Sequence, residues 1–296
     1  MKRSTAFVVA FVMLVLACGF VAFSDAVMKK NNDSDVVFID GHLTEKTESM
    51  RLKMAEYAAG LFQKVKEEYL FENDCYFVLV PDKYMYLYDK KADYDEFYSY
   101  IKENLSFVQM IDIYDLIDSD DYYFTDMHLR QENMVDIAQR ISDCMKNTEK
   151  LSFEKVMVDV DFFGNYAKRY NRMVEPEEFF YLTNDTIKNL ETVENVSIYD
   201  FEKLETDDPY EFFLSGNQSV VTIKNEKSES DKRLVIFRDS FASSFAPLLS
   251  ENYSEIVLID LRYIMSDMIG EYVDFENADV LFMYSTRLIN NSLCMR

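Results

Sequence analysis

The stretch that decides the expected fold of this chain is residues 234–247, LVIFRDSFASSFAP. Its first four residues are apolar, as in a strand that is buried on both faces of a parallel sheet. Residues 241–249 then predict a helix, so Ser240 is expected where a strand ends and a helix begins. In open α/β sheets ligands bind outside the carboxyl ends of the strands, and N–H groups at a helix start can stabilise an oxyanion. Ser240 is therefore a candidate nucleophile.

Strand and helix patterns alternate on both sides of this stretch. Right-handed crossovers between successive strands would give an α/β fold with a parallel sheet. Residues 150–229 are less regular, with short strands expected near Met157 and Val220. The other strands are expected at residues 75–80, 106–113, 234–237, 256–259 and 280–284, and the helices at residues 54–69, 93–105, 134–145, 241–249 and 263–272.

The Asp-Ser pair at this strand end is weak evidence by itself. It occurs at residues 33–34, 118–119 and 239–240, and of these pairs only the last lies at a predicted strand end. The alternative role for Ser240 is to cap the following helix, a position that serine favours.

A serine nucleophile needs a base, usually a histidine that a carboxylate orients. The chain has two histidines, and each follows an aspartate by two residues. Asp40-Gly41-His42 contains a flexible glycine and lies beside a polar linker, which favours a surface turn. Asp126-Met127-His128 opens the helix expected at residues 134–145. From local sequence it is either a capped helix start with a half-buried histidine or a catalytic pair.

The N-terminal residues predict export. Lys2 and Arg3 precede an apolar or small-residue run over residues 6–23, which is longer than a usual signal-peptide core and close to a membrane span. We favour an uncleaved signal anchor over cleavage after Ser24, and lipidation at Cys18 is disfavoured because the apolar run continues beyond it. The positive-inside rule places the remaining chain outside the cytoplasm. Residues 1–28 are thus a signal anchor or signal peptide, residues 29–35 a linker, and residues 36–296 one extracytoplasmic domain, membrane-bound or, after cleavage, secreted.

Composition excludes several classes of function. The net charge of −23 over 296 residues argues against nucleic acid as a partner, because phosphate backbones are bound by clustered cations. Beyond the N-terminal segment the cysteines are Cys75, Cys144 and Cys294, which have no zinc-ligand spacing and allow at most one disulfide. We expect no metal and no cofactor.

Two motifs carry a resemblance to a known family. Residues 122–128, YYFTDMH, together with residues 234–247 and residues 256–263, IVLIDLRY, resemble the DHHW family of exported bacterial proteins. That family is similar to the alginate O-acetylation proteins of the SGNH-hydrolase superfamily. The resemblance implies an α/β fold of the SGNH-hydrolase-like kind, a three-layer sandwich with a mostly parallel sheet. It also implies Ser240 as nucleophile, His128 as general base and Asp126 as the residue that orients the imidazole.

The chain departs from the family pattern at several positions. Met127 replaces the first His and Leu129 the Trp of the Asp-His-His-Trp motif, so the aromatic wall expected beside His128 is missing. Arg238 replaces a common glycine, which makes that backbone less free. Candidates for the oxyanion or substrate contacts are Asn217, the pair Asn290-Asn291, Tyr123 within the first motif, and Arg262, whose alternative is a surface ion pair.

These residues predict acyl transfer from an acetyl ester through an acyl-enzyme, and the resemblance implies an acetylated polysaccharide or another acetyl donor as substrate. By resemblance, the reaction is O-acetylation or deacetylation of a cell-envelope polysaccharide, with a membrane-bound O-acyltransferase as a possible source of acetyl groups. Sequence does not separate transferase from esterase, because water and sugar compete for the same acyl-enzyme. The alternative is a non-catalytic exported domain, with a degenerate SGNH fold, that binds glycan or a partner through its aromatic residues.

Overall fold

The computed structural model describes residues 36–46, 49–170, 173–194 and 196–296. The predicted signal anchor and linker at residues 1–35 lie outside these ranges. Within the described ranges no helix is both long enough and apolar enough to span a bilayer.

Strands and helices alternate along most of the described chain. The strands are β1 (Val36–Ile39), β2 (His42–Glu45), β3 (Cys75–Val80), β4 (Val108–Ile111), β5 (Glu154–Phe162), β6 (Glu177–Thr183), β7 (Glu191–Thr192), β8 (Val220–Lys224), β9 (Arg233–Arg238), β10 (Glu255–Ile259) and β11 (Ala278–Ser285). The α-helices are α1 (Leu52–Tyr69), α2 (Lys83–Leu87), α3 (Lys91–Asn104), α4 (Val135–Cys144), α5 (Asn165–Arg169), α6 (Phe241–Phe245) and α7 (Thr286–Ile289). Short 3-10 helices include Gln131–Asn133, Pro209–Phe212, Ala246–Asn252 and Ser266–Glu271.

The main sheet has the strand order β4-β3-β11-β9-β10-β8-β7. The strands from β4 to β10 pair in parallel, whereas β8 and β7 continue the sheet antiparallel. The mostly parallel sheet expected from the sequence is therefore present. Its parallel strands all end at one edge, which is where the candidate residues lie.

Helices cover both faces of this sheet. Phe62 of α1 and Phe97 of α3 pack with Phe237 and Phe282 on one face. On the other face, α4 and α6 pack against alternate residues of the same strands, such as Ile236. β9 and β11 are buried on both faces, and burial of apolar area at about 25 cal/mol per Å² is what stabilises such a layered fold.

Two antiparallel additions flank the sheet. β1 and β2 form a hairpin whose turn residues, Asp40 and Gly41, have φ of 46° and 88°, and this left-handed geometry suits Gly-containing hairpin turns. β5 and β6 form a separate ribbon, which is irregular between Val158 and Phe162. Neither the hairpin nor the second ribbon strand was expected from the sequence.

The predicted boundaries hold for most core elements, but the C-terminal helices differ. The helix expected at residues 241–249 changes to a 3-10 helix after Phe245, where Pro247 has no N–H to donate. The helix expected at residues 263–272 is shorter and of the 3-10 type: it runs over Ser266–Glu271 and contains the poor helix former Gly270.

Candidate active site

Ser240 lies at the carboxyl end of the sheet. It follows the end of β9 and precedes α6, and its side chain makes no helix-capping hydrogen bond. Capping is done instead by Asp239, whose carboxylate accepts from the N–H of Phe241 and from the N–H and hydroxyl of Ser285. The Ser240 hydroxyl is therefore available for another partner.

Asp126 and His128 lie on a closed loop that we call the base loop, residues 122–129. A β-bridge between Tyr122 and Leu129 closes the loop, and the Tyr123 N–H donates to the carbonyl of His128. Within the loop, the His128 N–H donates to Oδ1 of Asp126 at 3.1 Å. Contacts within the loop alone therefore fix Asp126 and His128 relative to each other.

A line of hydrogen bonds joins Asp126, His128 and Ser240. Nδ1 of His128 is 2.6 Å from Oδ1 of Asp126, and Nε2 is 2.8 Å from Oγ of Ser240. His128 is 6% exposed and Asp126 is fully buried. The structure brings together the three residues that the motifs singled out, although His128 and Ser240 are far apart in sequence.

The charge of Asp126 sets the tautomer of His128. Burial alone would raise the pKa of Asp126, but the His128 imidazole and hydrogen bonds from His128 and from the N–H of Asn165 outweigh burial and lower the pKa to about 2. An ionised carboxylate accepts the Nδ1–H proton, which leaves Nε2 as the acceptor for the Ser240 hydroxyl.

Lys83 holds the carbonyl groups of the base loop. This lysine opens α2 and is 1% exposed. Its Nζ donates to the carbonyls of Tyr123 at 2.8 Å and Asp126 at 2.6 Å. Burial lowers its pKa to about 8, and the nearby charge of Asp126 partly opposes that decrease.

Glu177 holds the N–H groups of the same loop. This first residue of β6 accepts from the N–H of Phe124 and the N–H of Thr125, both at 2.7 Å. Its second carboxylate oxygen also accepts from Nη2 of Arg130 at 2.6 Å. Because both sets of polar backbone groups are satisfied, the loop is held as a rigid unit rather than as a mobile surface segment.

The start of α5 fixes the second oxygen of Asp126. The Asn165 N–H donates to Oδ2 of Asp126 at 2.6 Å. This contact requires a very close approach at Gly164, where an added Cβ would lie 2.3 Å from Cβ of Asp126 and 2.6 Å from the carbonyl oxygen of Thr125. Only glycine fits at this position without displacing the base loop.

Tyr210 is a site residue that sequence reasoning missed. Its ring stacks on the imidazole of His128, and Phe241 contacts the same imidazole with centroids 4.8 Å apart. The aromatic wall that was expected to be missing is therefore present, but it comes from a distant segment and from the residue after Ser240. Nearby, Oδ1 of Asp208 is buried without a partner among the described residues. Burial, and then the charge of Asp126, raise the pKa of Asp208.

Arg238 is the last residue of β9 and precedes Ser240 by two positions. It is fully buried, and its Nη1 donates to Oγ of Ser243 at 2.7 Å. Its Nε and Nη2 have no hydrogen-bond partner among the described residues. Burial lowers its pKa, and the charge of Asp260 opposes that decrease. The residue that replaces the common glycine thus places a buried cation two residues before Ser240.

Backbone donors near Ser240 are partly occupied. The N–H of Phe241 donates to Oδ1 of Asp239, and the N–H of Ala242 donates to the Asp239 carbonyl. No acceptor among the described residues takes the N–H of Ser240 itself. The Ser240 N–H is therefore the backbone group that remains for an oxyanion.

The other expected contacts are not part of this arrangement. Asn217 is exposed in the loop before β8 and hydrogen-bonds to none of the described residues. Arg262 is held by the carboxylate of Asp260 through Nε and Nη2. The expected alternative was a surface ion pair, whereas this one is partly buried because Asp260 is fully buried. Tyr123 is fully buried in an aromatic cluster, so it packs instead of contacting a substrate. Asn290 and Asn291 both accept hydrogen bonds from Arg51.

His42 takes no part in the hydrogen bonds that join Asp126, His128 and Ser240. The surface turn expected around it is formed by Asp40 and Gly41, but His42 itself is 1% exposed and packs edge-on against Phe124. Burial, and then the charge of Lys83, lower its pKa. The expectation that His42 lies on the surface is wrong. The N–H of the next residue, Leu43, donates to the carbonyl of Phe124, and this hydrogen bond holds β2 against the base loop.

Fold and site together define an α/β protein with an Asp-His-Ser line at the carboxyl ends of a mostly parallel sheet. No protein-family model matches the sequence, and no curated protein matches it significantly. Solved structures do match. A DHHW family protein from Eubacterium siraeum superposes with a TM-score of 0.71 at 20% identity, covering 88% of this chain and 92% of that chain. The resemblance to the DHHW family is therefore confirmed in the fold.

PatB1 of Bacillus cereus has the same fold. Its structure with a sulfonyl adduct superposes with a TM-score of 0.68 at 17% identity, covering 86% of this chain and 95% of PatB1. A second structure of PatB1 gives a TM-score of 0.63 over 86% of this chain and 96% of PatB1. At these identities the likeness establishes the shared fold.

Proposed function

We propose that this protein is an SGNH-hydrolase-like enzyme of acyl transfer, an O-acetyltransferase or acetylesterase. Ser240 is the nucleophile, His128 the general base and Asp126 the residue that orients the imidazole. The observation that carries the proposal is the 2.8 Å hydrogen bond between Nε2 of His128 and Oγ of Ser240. A nucleophile and base within about 2.6–3.2 Å, with the base oriented by a third group, is the arrangement that activates a serine.

The reaction proceeds in two halves. Oγ of Ser240 attacks the carbonyl carbon of an acetyl ester while its proton passes to Nε2 of His128. Collapse of the tetrahedral intermediate breaks the ester bond, and His128 returns the proton to the leaving alkoxide. An acceptor hydroxyl, from a sugar or from water, then attacks the acetyl-serine and gives its proton to His128, which finally reprotonates Ser240.

Electrostatic stabilisation comes from groups on both sides of Ser240. Its own N–H is positioned to donate to the oxyanion, and removing one such donor costs about 10²–10³-fold in rate in a known serine enzyme. Asp126, with its low pKa, stabilises the imidazolium that forms after proton transfer.

The substrate and the compartment follow from the motif resemblance and the N-terminal sequence. The substrate is an acetylated cell-envelope polysaccharide or another acetyl donor, and the domain acts outside the cytoplasm, bound to the membrane by residues 1–28 or secreted after cleavage. A membrane-bound O-acyltransferase is the partner that would supply acetyl groups. A non-catalytic binding domain is the weaker alternative, since nothing about glycan binding requires His128 to meet Ser240.

Labelling with a sulfonyl fluoride tests the proposal, and the sulfonyl adduct of PatB1 motivates the reagent. Phenylmethylsulfonyl fluoride should add one sulfonyl group to the protein, and peptide mass spectrometry should place it on Ser240. Ser240→Ala should abolish both the label and hydrolysis of p-nitrophenyl acetate. Ser243→Ala removes a neighbouring buried serine and is the matched labelling control. A label that persists in Ser240→Ala would exclude Ser240 as the nucleophile.

A further inference from the structure

A groove of about 1000 Å³ lies behind the base loop. We call it the ribbon groove, because its walls are the β1–β2 hairpin, the β5–β6 ribbon and the outer side of the base loop. Phe38, Phe124 and Phe180 line it, one from each wall. Phe38 is 47% exposed and Phe124 is 39% exposed, so aromatic surface faces the open space.

The charges that line the ribbon groove are mainly negative. Two cations line it, Arg130 and Lys155. Arg130 is paired with Glu177, and Nζ of Lys155 lies 3.8 Å from the ring centroid of Phe180. An anionic ligand would meet repulsion here, whereas a cationic ligand would be attracted. The lining carboxylates are those of Asp120, Glu132, Glu175, Glu177 and Glu178.

Glu132 distinguishes this groove from an ordinary acidic surface. Its side chain is only 3% exposed, and its nearest cationic contact, from Oε1 to Nη1 of Arg130, is 3.8 Å long. Its Oε2 is buried and has no hydrogen-bond partner among the described residues. A buried carboxylate oxygen without a hydrogen bond costs free energy, so a donor that reaches this carboxylate would be bound strongly. Burial raises the pKa of Glu132, and the charges of Arg130 and Lys155 oppose that increase only in part.

The hydroxyl of Tyr123 does not satisfy this carboxylate. It too is buried without a partner. Burial, followed by the charge of Glu132, raises the pKa of Tyr123. A donor from a ligand can therefore pair with Glu132 without breaking an existing hydrogen bond.

The combination of aromatic surface and a buried carboxylate indicates the occupant. Pyranose rings present an apolar C–H face that packs on aromatic rings, while their polar substituents point to the groove edges. An ammonium group supplies three donors and the positive charge that the groove attracts. A basic peptide would also satisfy the charge, but its flexible side chains have no flat apolar face for the phenyl rings.

We propose that the ribbon groove binds a cationic oligosaccharide, a chain of amino sugars with free ammonium groups, one of which contacts Glu132. The inference rests on the proposed function, because it names the class of polysaccharide that the enzyme acts on. The neighbouring base loop then forms one wall of the glycan site.

Calorimetric titration of the full-length chain carrying Ser240→Ala tests this proposal without turnover. The probe is the β-1,4-linked hexamer of glucosamine, fully de-N-acetylated. Glu132→Gln should weaken its binding by about 10-fold or more, as expected for loss of a hydrogen bond to a charged group. Glu178→Gln removes the same charge from an exposed position in the same groove and should weaken binding by about 2-fold at most.

Two further variants test the aromatic surface and the location. Phe38→Ala should weaken binding by about 3- to 10-fold, whereas Phe71→Ala, at a 76% exposed aromatic in another cleft, should have no effect. Glu72→Gln in that second acidic cleft should also leave binding unchanged. The N-acetylated hexamer and a uronic acid hexamer should both bind at least about 10-fold more weakly than the glucosamine hexamer.

Several results would overturn the proposal. The first is that the glucosamine hexamer does not bind, and the second is that it binds Glu132→Gln as tightly as the protein with Glu132. The third is that the N-acetylated or the uronic acid hexamer binds as tightly as the glucosamine hexamer. The fourth is that hexalysine binds more tightly than the glucosamine hexamer and depends on Glu132. A different result would contradict the proposed function: the protein with Ser240 intact would neither hydrolyse an acetyl ester nor take up the sulfonyl label. Glu132-dependent binding by such a protein would leave a glycan-binding domain.

Discussion

The ring of Tyr210 lies flat on the imidazole of His128, with centroids 3.6 Å apart and planes 3° from parallel. The Tyr210 hydroxyl is 2.9 Å from Oγ of Ser244, which keeps the ring from sliding. The imidazole of His128 is thus held by a carboxylate at one nitrogen and by an aromatic ring along its plane.

Tyr210→Ala should lower kcat for p-nitrophenyl acetate by about 10- to 100-fold, because an imidazole without its stacking partner spends less time aimed at Ser240. Tyr210→Phe retains the ring and loses only the hydroxyl, so its kcat should stay within about 3-fold of the unaltered protein. Steady-state kinetics of both variants checks this. Equal losses in the two variants would mean that the hydroxyl, and not the stacked ring, matters.

The two aspartate–histidine pairs should differ sharply in their effect on catalysis. Asp126→Asn should reduce kcat by up to about 10⁴-fold, as in a known triad, since the imidazole loses its tautomer preference. His128→Ala should abolish activity. His42→Ala removes a buried ring that packs on Phe124, so it should lower the thermal midpoint but change kcat by less than about 3-fold. Loss of activity in His42→Ala with activity retained in His128→Ala would overturn the assignment of the base.

Gly164→Ala should impair catalysis by moving the base loop, although it replaces none of Asp126, His128 and Ser240. The new methyl group would lie 2.3 Å from Cβ of Asp126, so the base loop has to move, and shifts of about 1 Å can cost about 10²-fold in rate. Gly60→Ala is the matched control, because Gly60 lies in α1 with no atom within 4 Å of the added Cβ. An unchanged kcat in Gly164→Ala would show that α5 does not fix the position of Asp126.

Asp126 should make stability depend on acid pH. Its folded-state pKa, about 2, lies below the ordinary value of 3.8, so its stabilising contribution is complete above about pH 4 and is lost as pH falls towards 2. That contribution is about 2 kcal/mol at neutral pH, of which about 1 kcal/mol is lost by pH 3. Urea unfolding at pH 6 and pH 3 should show a smaller pH effect in Asp126→Asn than in the unaltered protein. Identical pH effects would contradict the low pKa of Asp126.

The sequence predicted the centre of the fold better than its edges. β9 and β10 are continuous apolar runs because both of their faces are buried, and such runs are recognisable without tertiary information. β6 was missed, because Glu177 at its start and the half-exposed residues along it give no clear period of two. The ribbon takes its form from pairing with β5, which local sequence does not specify.

The candidate site shows the same division. Ser240 and His128 were found because each lies in a short motif beside a recognisable element. Lys83, Glu177 and Tyr210 were not, since each acts through one tertiary contact with a loop that is distant in sequence. The sequence around a single lysine or tyrosine does not indicate which distant carbonyl or imidazole its side chain will contact.

The strand order has a consequence for how the protein is made. β3 and β9 are neighbours of β11, the last strand along the chain, so a ribosome must finish residue 285 before the middle of the sheet can close. A nascent chain that ends after β8 would contain the histidine but not the serine, and its β3 and β4 would lack the strand that joins them to the rest. Such non-local pairing is slow to form. The Asp126–His128–Ser240 line therefore has no closed sheet to support it until the final strand is inserted.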